Sequence, residues 1–216
     1  ARDRVGKKPL YYAKGHNSLT FASELKALLV GAPPRDVDPV AMHHYLTFQY
    51  VPAPWSIFRG IKKLRPGHIL VCDRGACTER AYWSVTYREK RRGRSDLECQ
   101  EEFLSLLENA TRLRLASDVP LGAFLSGGMD SSTIVALMSK LTTQPVKTFS
   151  IGFKEDAFNE LPYAREVAKK FGTDHHELIV EHSAIDILPT LARVFDEPFA
   201  DSSQIPTFLV SQMARQ

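Results

Sequence analysis

One junction constrains this chain more than any other. An apolar run, Val119 to Leu125, meets Ser126-Gly127-Gly128-Met129-Asp130-Ser131-Ser132, and a helical pattern follows at once with Ile134, Val135, Leu137, Met138 and Leu141 on one side. A buried strand that turns directly into an amphipathic helix must return to a parallel neighbour by a right-handed crossover. The downstream rhythm repeats this. A strand is predicted over Val146–Phe153, a helix over Leu161–Phe171 with Ala164, Val167 and Ala168 inward, and a strand over His176–Val180. A further helix carries Ile185, Leu188, Leu191 and Phe195. Upstream, a helix over Leu97–Leu115 places Phe103, Leu106, Leu107, Ala110 and Leu113 on one stripe. The expected class is α/β, with a parallel sheet covered by helices on both faces.

The bend itself is chemically specific. Gly127 and Gly128 permit positive φ and leave successive N–H groups uncovered. The helix start adds unpaired donors and a partial positive charge. Ser126, Ser131 and Ser132 add hydroxyls. A turn built this way holds an anion, phosphate above all. Asp130 is at odds with a bare phosphate, so Mg²⁺ between the two is expected. The plain alternative is a tight strand–helix bend with a serine cap. A lone Gly-Gly would fit that alternative; the full S-G-G-x-D-S-S string fits phosphate better. No G-x-x-x-x-G-K-[ST] and no G-x-G-x-x-G occurs, so neither Walker-type transfer nor dinucleotide binding is supported.

Residues 1–88 read differently. Pro9–Ala13 and Leu19–Ala22 are apolar runs around the turn Gly15-His16-Asn17-Ser18. A short helix is expected over Ser23–Val30, and another from Asp38-Pro39, with Asp38 as cap, until the Pro-rich run Val51–Trp55. Strands are expected at Gly67–Cys72 and Thr78–Ser84. Arg2 and Asp3 should pair or contact backbone. The basic run Arg88-Glu89-Lys90-Arg91-Arg92-Gly93-Arg94 has no apolar residue and reads as an exposed linker over 89–96, with a second domain over 97–216.

Charge and cysteine usage limit the partners. Lys plus Arg less Asp plus Glu is 28 − 25 = +3, too small a surplus to argue for a nucleic acid or a membrane surface. No signal segment or long apolar span is present, so a soluble cytoplasmic protein is expected. Three cysteines, Cys72, Cys77 and Cys99, are too few for a disulfide framework and are expected as reduced thiols. His175-His176-Glu177 lacks H-E-x-x-H spacing and reads as structural. Asn109-Ala110-Thr111 is a sequon inside a predicted helix.

The S-G-G-M-D-S-S string resembles the pyrophosphate loop of ATP pyrophosphatases that adenylate a substrate. Other segments narrow the resemblance. Arg2-Asp3-Arg4-Val5-Gly6-Lys7-Lys8-Pro9-Leu10-Tyr11-Tyr12, Phe21-Ala22-Ser23-Glu24-Leu25-Lys26-Ala27-Leu28, Tyr50-Val51-Pro52 and Leu64-Arg65-Pro66-Gly67 are similar to the second half of the glutaminase domain of glutamine-hydrolysing asparagine synthetases. Thr148-Phe149-Ser150-Ile151-Gly152-Phe153 and Thr173-Asp174-His175-His176-Glu177 are similar to their synthetase domain. The implied fold is part of an α+β N-terminal-nucleophile glutaminase followed by an adenine nucleotide alpha-hydrolase-like domain.

The implied activity joins aspartate, ATP and glutamine-derived ammonia through β-aspartyl-AMP, with Mg²⁺ and no nucleic acid or membrane partner; a homodimer is left open. By position, Leu125 and Ile151 match adenosine contacts, although Ile151 reads equally well as core. Ser126, Gly127, Gly128, Asp130, Ser131 and Ser132 match pyrophosphate and metal positions. Asp196, Glu197 and Asp201 fall where the family places substrate residues, and read equally as helix caps.

Two family features are not found: an N-terminal cysteine nucleophile, since Ala1 opens the chain, and a second acidic segment of the form S-G-x-G-x-D-E. A fragment, inactive alone, is the expectation. Adenylation of a different carboxylate, as in β-lactam synthetases, and a non-catalytic nucleotide-binding module remain alternatives.

Overall fold

The computed structural model describes residues 1–31, 35–87, 90, 92–153, 159–180 and 184–215. Arg88, Glu89 and Arg91 of the basic run, and the side chain of Ile185, lie outside what is described. The chain forms two compact units. Ala1–Glu89 groups with Ile187–Ser202, and Lys90–Asp186 groups with Ser203–Gln216. Among the described residues no helix is long and apolar enough to cross a membrane.

In the first unit β1 (Tyr11–Lys14) lies between β2 (Leu19–Ala22) and β3 (Ile61–Lys63), antiparallel to both. Helix α1 (Leu25–Leu29) and helix α2 (Pro39–Phe48) complete a core of Tyr11, Leu25, Leu28, Ala41, Val51, Ile57 and Ile61. The Asp38 carboxylate accepts from Val40 N at 2.9 Å and Pro39 opens the helix, so both ends of the start signal are used. Arg2 donates to the carbonyls of Lys8, Leu64 and Gly6, while Asp3 accepts from Lys7 N and Lys8 N. Those backbone bonds hold the Asp3 carboxyl below the usual carboxylate range.

The segment Ile187–Ser202 belongs to this unit although the sequence expectation groups it with 97–216. The reason is a set of charged contacts. Asp196 accepts from Lys26 N at 3.1 Å near the start of α1. Glu197 takes the Tyr11 hydroxyl at 2.9 Å, Ile57 N at 2.8 Å and the Lys63 ammonium at 2.6 Å. Ala200 N donates to Gln49 O at 2.9 Å. Burial first, and then the Glu197 charge, push the Tyr11 phenol far above its ordinary range, so it remains a donor.

The expectation of three reduced thiols is corrected. Strands β4 (His68–Asp73) and β5 (Ala76–Ala81) form an antiparallel hairpin in which Cys72 faces Cys77, and the two are joined as a disulfide with Cα atoms 4.0 Å apart. Arg74 and Gly75 both adopt positive φ at the tight turn, which brings the pair opposite each other. Cys99 is free and exposed. Hairpin register, which a count of cysteines does not carry, sets this pairing.

The second unit carries the parallel sheet. Its strands β6 (Gly122–Phe124), β7 (Lys147–Phe153) and β8 (Asp174–Val180) lie side by side in that order and run parallel. Helix α4 (Met129–Leu141) joins β6 to β7 and α5 (Leu161–Phe171) joins β7 to β8. Steps in one direction with right-handed crossovers put both helices on one face. There Leu125, Val135, Ala164 and Ala168 form the core. Helix α6 (Ala184–Val194) comes next in the chain. Helix α7 (Gln204–Arg215) packs against β7 from the side that carries Phe149 and Ile151. The described residues thus put helices on both faces.

Helix α3 (Asp96–Arg114) uses only part of its apolar stripe. Leu107 and Ala110 of the stripe, with Thr111, lie near Ile134 and Met138 of α4. Phe103, Leu106 and Leu113 are 61%, 62% and 68% exposed. Periodicity alone does not say how much of an apolar stripe finds a partner.

The α3 start is a capping box. Ser95 Oγ accepts from Glu98 N, and Glu98 returns to Ser95 N at 2.8 Å. Ser95→Ala is expected to cost about 1 kcal/mol in urea unfolding. A second expectation concerns pH. Two hydrogen bonds from Arg165, at 2.8 and 2.7 Å, tie α5 to Glu177 on β8. The Arg165 bonds are the main cause that holds the Glu177 carboxyl low, against partial burial. Its folded value is depressed, so this contribution is fully present above the ordinary glutamate range and is lost as pH falls through the lower folded value. Melting temperature followed across the acid range should show a shallower decline in Glu177→Gln.

Candidate functional site

Leu125 follows β6 and lies deep in the core, and its N–H donates to Phe149 O at 2.9 Å. The chain then turns out of the sheet. Ser126 N donates to Ser131 Oγ at 3.3 Å, the two serine hydroxyls lie 3.0 Å apart, and Gly128 N reaches Ser126 Oγ at 3.3 Å. Ser131 Oγ also donates to Gly128 O, and Ser132 N closes the first helical bond to the same carbonyl at 3.0 Å. The serines of the motif therefore serve first to shape the bend.

What the bend leaves over is a set of donors. Among the described residues, nothing accepts from the N–H groups of Gly127, Met129, Asp130 and Ser131. Gly128 is the N-cap of α4 but offers no side chain to them. The Ser132 hydroxyl is buried and has no partner among the described residues. Orphan amides at a helix start attract negative charge through direct donation and the helix dipole.

Gly127 is required for the geometry. Its φ is +80°, and an added Cβ would lie 2.6 Å from both Ala164 N and Tyr163 Cβ of α5. The bend lies against that helix with no room for a side chain.

Beside the bend is a cleft of about 340 Å³ at the carboxyl ends of β6 and β7. Leu125, Ser126, Ser131, Phe149, Ser150, Ile151 and Phe153 line it from the sheet and bend, and Pro206, Thr207 and Val210 from α7. This is where an open parallel sheet places its ligands. Apolar walls next to free donors suit a flat, apolar group joined to an anion.

The residues singled out from sequence divide in two. Leu125, Ser126, Gly127, Gly128, Asp130, Ser131, Ser132 and Ile151 lie together around bend and cleft, with Ile151 half-buried on the cleft wall. Asp196 and Glu197 lie in the first unit, their carboxylates engaged by Lys26, Lys63, Tyr11 and Ile57. Asp201 is exposed at the end of the same segment. Thr207 and Val210 of the cleft went unnoticed, because α7 reads as an ordinary amphipathic helix. Ser150 was quoted only within a motif.

Metal chemistry has one candidate. The Asp130 carboxylate is exposed on the first turn of α4. Among the described residues no group of three or more His, Cys, Asp or Glu could hold an ion. That fits Mg²⁺ held by one carboxylate together with phosphate oxygens, and does not fit a cage built by protein alone. His175 bonds Thr148 and His176 stacks on Phe149, consistent with structural roles.

Two family models match. The asparagine synthase family covers residues 102–216, and the glutamine amidotransferase domain covers residues 1–83. The whole chain is 36% identical to a Methanocaldococcus jannaschii protein bearing the name glutamine-hydrolysing asparagine synthetase 2, of which it covers 43%. It is 33% identical, again over all its length, to glutamine-hydrolysing asparagine synthetase 1 of Bacillus subtilis, of which it covers 34%. A Gibberella zeae protein named amidase chry2 is 32% identical over 86% of this chain and 30% of its own length. The chain thus spans less than half the length of these relatives.

The two glycines of the bend should behave differently. Gly127→Ala is expected to lower stability by roughly 1–3 kcal/mol, from strain and overlap with α5. Gly128→Ala should be tolerated, since its φ is −68° and the nearest atom to an added Cβ is Ser126 Oγ at 3.3 Å. Urea unfolding of both variants checks the contrast.

Proposed function

The chain belongs to the asparagine synthase family, and from that premise we propose that the bend at 125–132 holds the pyrophosphate of ATP while a carboxylate is activated as its adenylate. The observation that carries this reading is the row of unpartnered amides at the start of α4, opening beside an apolar cleft at the sheet's carboxyl edge. Residues 1–88 are read as the later part of a glutamine-hydrolysing domain, 89–96 as a linker, and 97–216 as the first part of the synthetase domain.

The chemistry follows from what a carboxylate lacks. It is a poor electrophile, and its oxygen leaves badly. On this reading a side-chain oxygen of aspartate attacks the α-phosphorus of ATP. The bond from that phosphorus to the β-phosphate oxygen breaks, and pyrophosphate departs with the electron pair. Ammonia from glutamine then attacks the acyl carbon of β-aspartyl-AMP, loses a proton and displaces AMP, which yields asparagine.

This chain's residues serve the first step. The amides of Gly127, Met129, Asp130 and Ser131 face the charge that gathers on the leaving pyrophosphate. A well-placed donor in such sites is worth roughly 2.7–4 kcal/mol. Leu125 and Ile151 supply apolar walls for the adenosine. Asp130 would hold Mg²⁺ against the phosphates, where the ion offsets negative charge. Asp196 and Glu197 act as anchors of their segment.

A second reading keeps the same bend for adenylation of another carboxylate, since a relative of this chain carries a name other than asparagine synthetase. Two measurements separate the readings. Isothermal titration of this chain with ATP and Mg²⁺ should show binding that weakens when Mg²⁺ is omitted; no binding of ATP under either condition would overturn the proposal. In the full-length protein, exchange of labelled pyrophosphate into ATP should depend on aspartate. Exchange with a different acid only would transfer the assignment to the second reading, and binding without any exchange would leave a nucleotide-binding module.

A further inference from the structure

Strand β7 turns Thr148, Ser150 and Gly152 toward the helix-covered interior, where a parallel strand ordinarily presents valine or isoleucine. Thr148 uses its hydroxyl within the sheet, on Thr173 Oγ1 at 2.8 Å and His175 Nδ1 at 2.9 Å. Ser150 does something else. It is 3% exposed, and its hydroxyl donates to the carbonyl of Leu125.

That carbonyl belongs to the last peptide group before the bend. The N–H of the same peptide is Ser126 N, which donates to Ser131 Oγ. A peptide group is planar and turns as one body. Here both of its ends are held, one by Ser150 and the other by Ser131. Strand pairing does not hold it, because the β6–β7 ladder ends at Phe124 opposite Phe149. The next residue but one, Gly127, is at φ +80°, so the plane's orientation sets where the following N–H groups point.

Packing alone does not explain a serine at this place. Alanine would fill nearly the same volume without burying a hydroxyl that must find an acceptor.

Resting on the reading of the bend as a pyrophosphate site, we propose that Ser150 is a positioning residue for it. Through the Leu125 carbonyl it fixes the Leu125–Ser126 peptide plane, and so aims the donors of Gly127 to Ser131 without touching the phosphates.

The test uses Ser150→Ala and Ser150→Thr, with magnesium pyrophosphate and adenosine as separate probes in NMR titrations that follow the amides of Ser126 to Ser131. The wild-type chain should bind both probes. Ser150→Ala should melt close to wild type, keep its affinity for adenosine and lose on the order of tenfold in affinity for pyrophosphate. Ser150→Thr, which keeps the hydroxyl, should restore most of that loss. Equal pyrophosphate affinity in wild type and Ser150→Ala would overturn the positioning role alone. Equal loss for both probes, together with a lowered melting temperature, would overturn it as well, since that marks a fold defect. A wild-type chain that ignores pyrophosphate would instead overturn the functional reading on which this one stands.

Discussion

The short parallel pairing of β6 with β7 governs what the second unit can do. Only Gly122, Ala123 and Phe124 pair with β7, and then the ladder stops. Had it run two residues further, Leu125 and Ser126 would have continued as strand, and the Leu125–Ser126 peptide would be held by the sheet and not by the serines. Because it stops, Leu125 remains anchored in the core while the next seven residues turn into α4. The backbone groups released at that point are the ones available for chemistry. The fold places them at the carboxyl edge of the sheet for the reason that every strand–helix unit of this class does so.

Precision at that edge comes from small side chains. Ser126, Ser131 and Ser150 form a network around one peptide plane, and Gly127 allows α5 to approach. Larger residues would fill the space that the bend needs. This also explains the division of labour among the serines. Ser126 and Ser131 shape the loop with their hydroxyls, so the donors left over are main-chain amides and the Ser132 hydroxyl. Main-chain donors are fixed by the fold and need no side-chain ordering when a ligand arrives.

Much of this was legible in the sequence, and what was missed has a common cause. The S-G-G-M-D-S-S string, the helix starts at Asp38-Pro39 and the alternation after residue 95 are local signals, and each reports a local constraint. Strand β3 was missed because Ile61-Lys62-Lys63 carries one apolar residue and so has no alternation to read. The Cys72–Cys77 pairing depends on hairpin register, the exposure of Phe103 and Leu106 on which face of α3 meets α4, and the place of Glu197 on contacts with residues more than 130 positions away. None of these is a property of a short window. Asp196 and Glu197 show the point well. Their composition suggests caps or a site, and Asp196 does accept from the first turn of a helix, but that helix is α1, 170 residues earlier.

The donor set of the bend also bears on which anion it would prefer. Four neutral amides and a helix start supply partial charges, and the bend itself contributes no lysine or arginine, while Asp130 adds a full negative charge at the same place. Against a bare phosphate, the carboxylate opposes what the amides gain. Against a phosphate chain already complexed by a divalent cation, the carboxylate becomes a ligand, and its sign turns from a cost to a contribution. On the proposed reading, a bend of this composition would favour the metal complex of a polyphosphate over the free anion, because Asp130 would then act as a ligand and not as an opposing charge. A basic loop of the same shape would lack that preference.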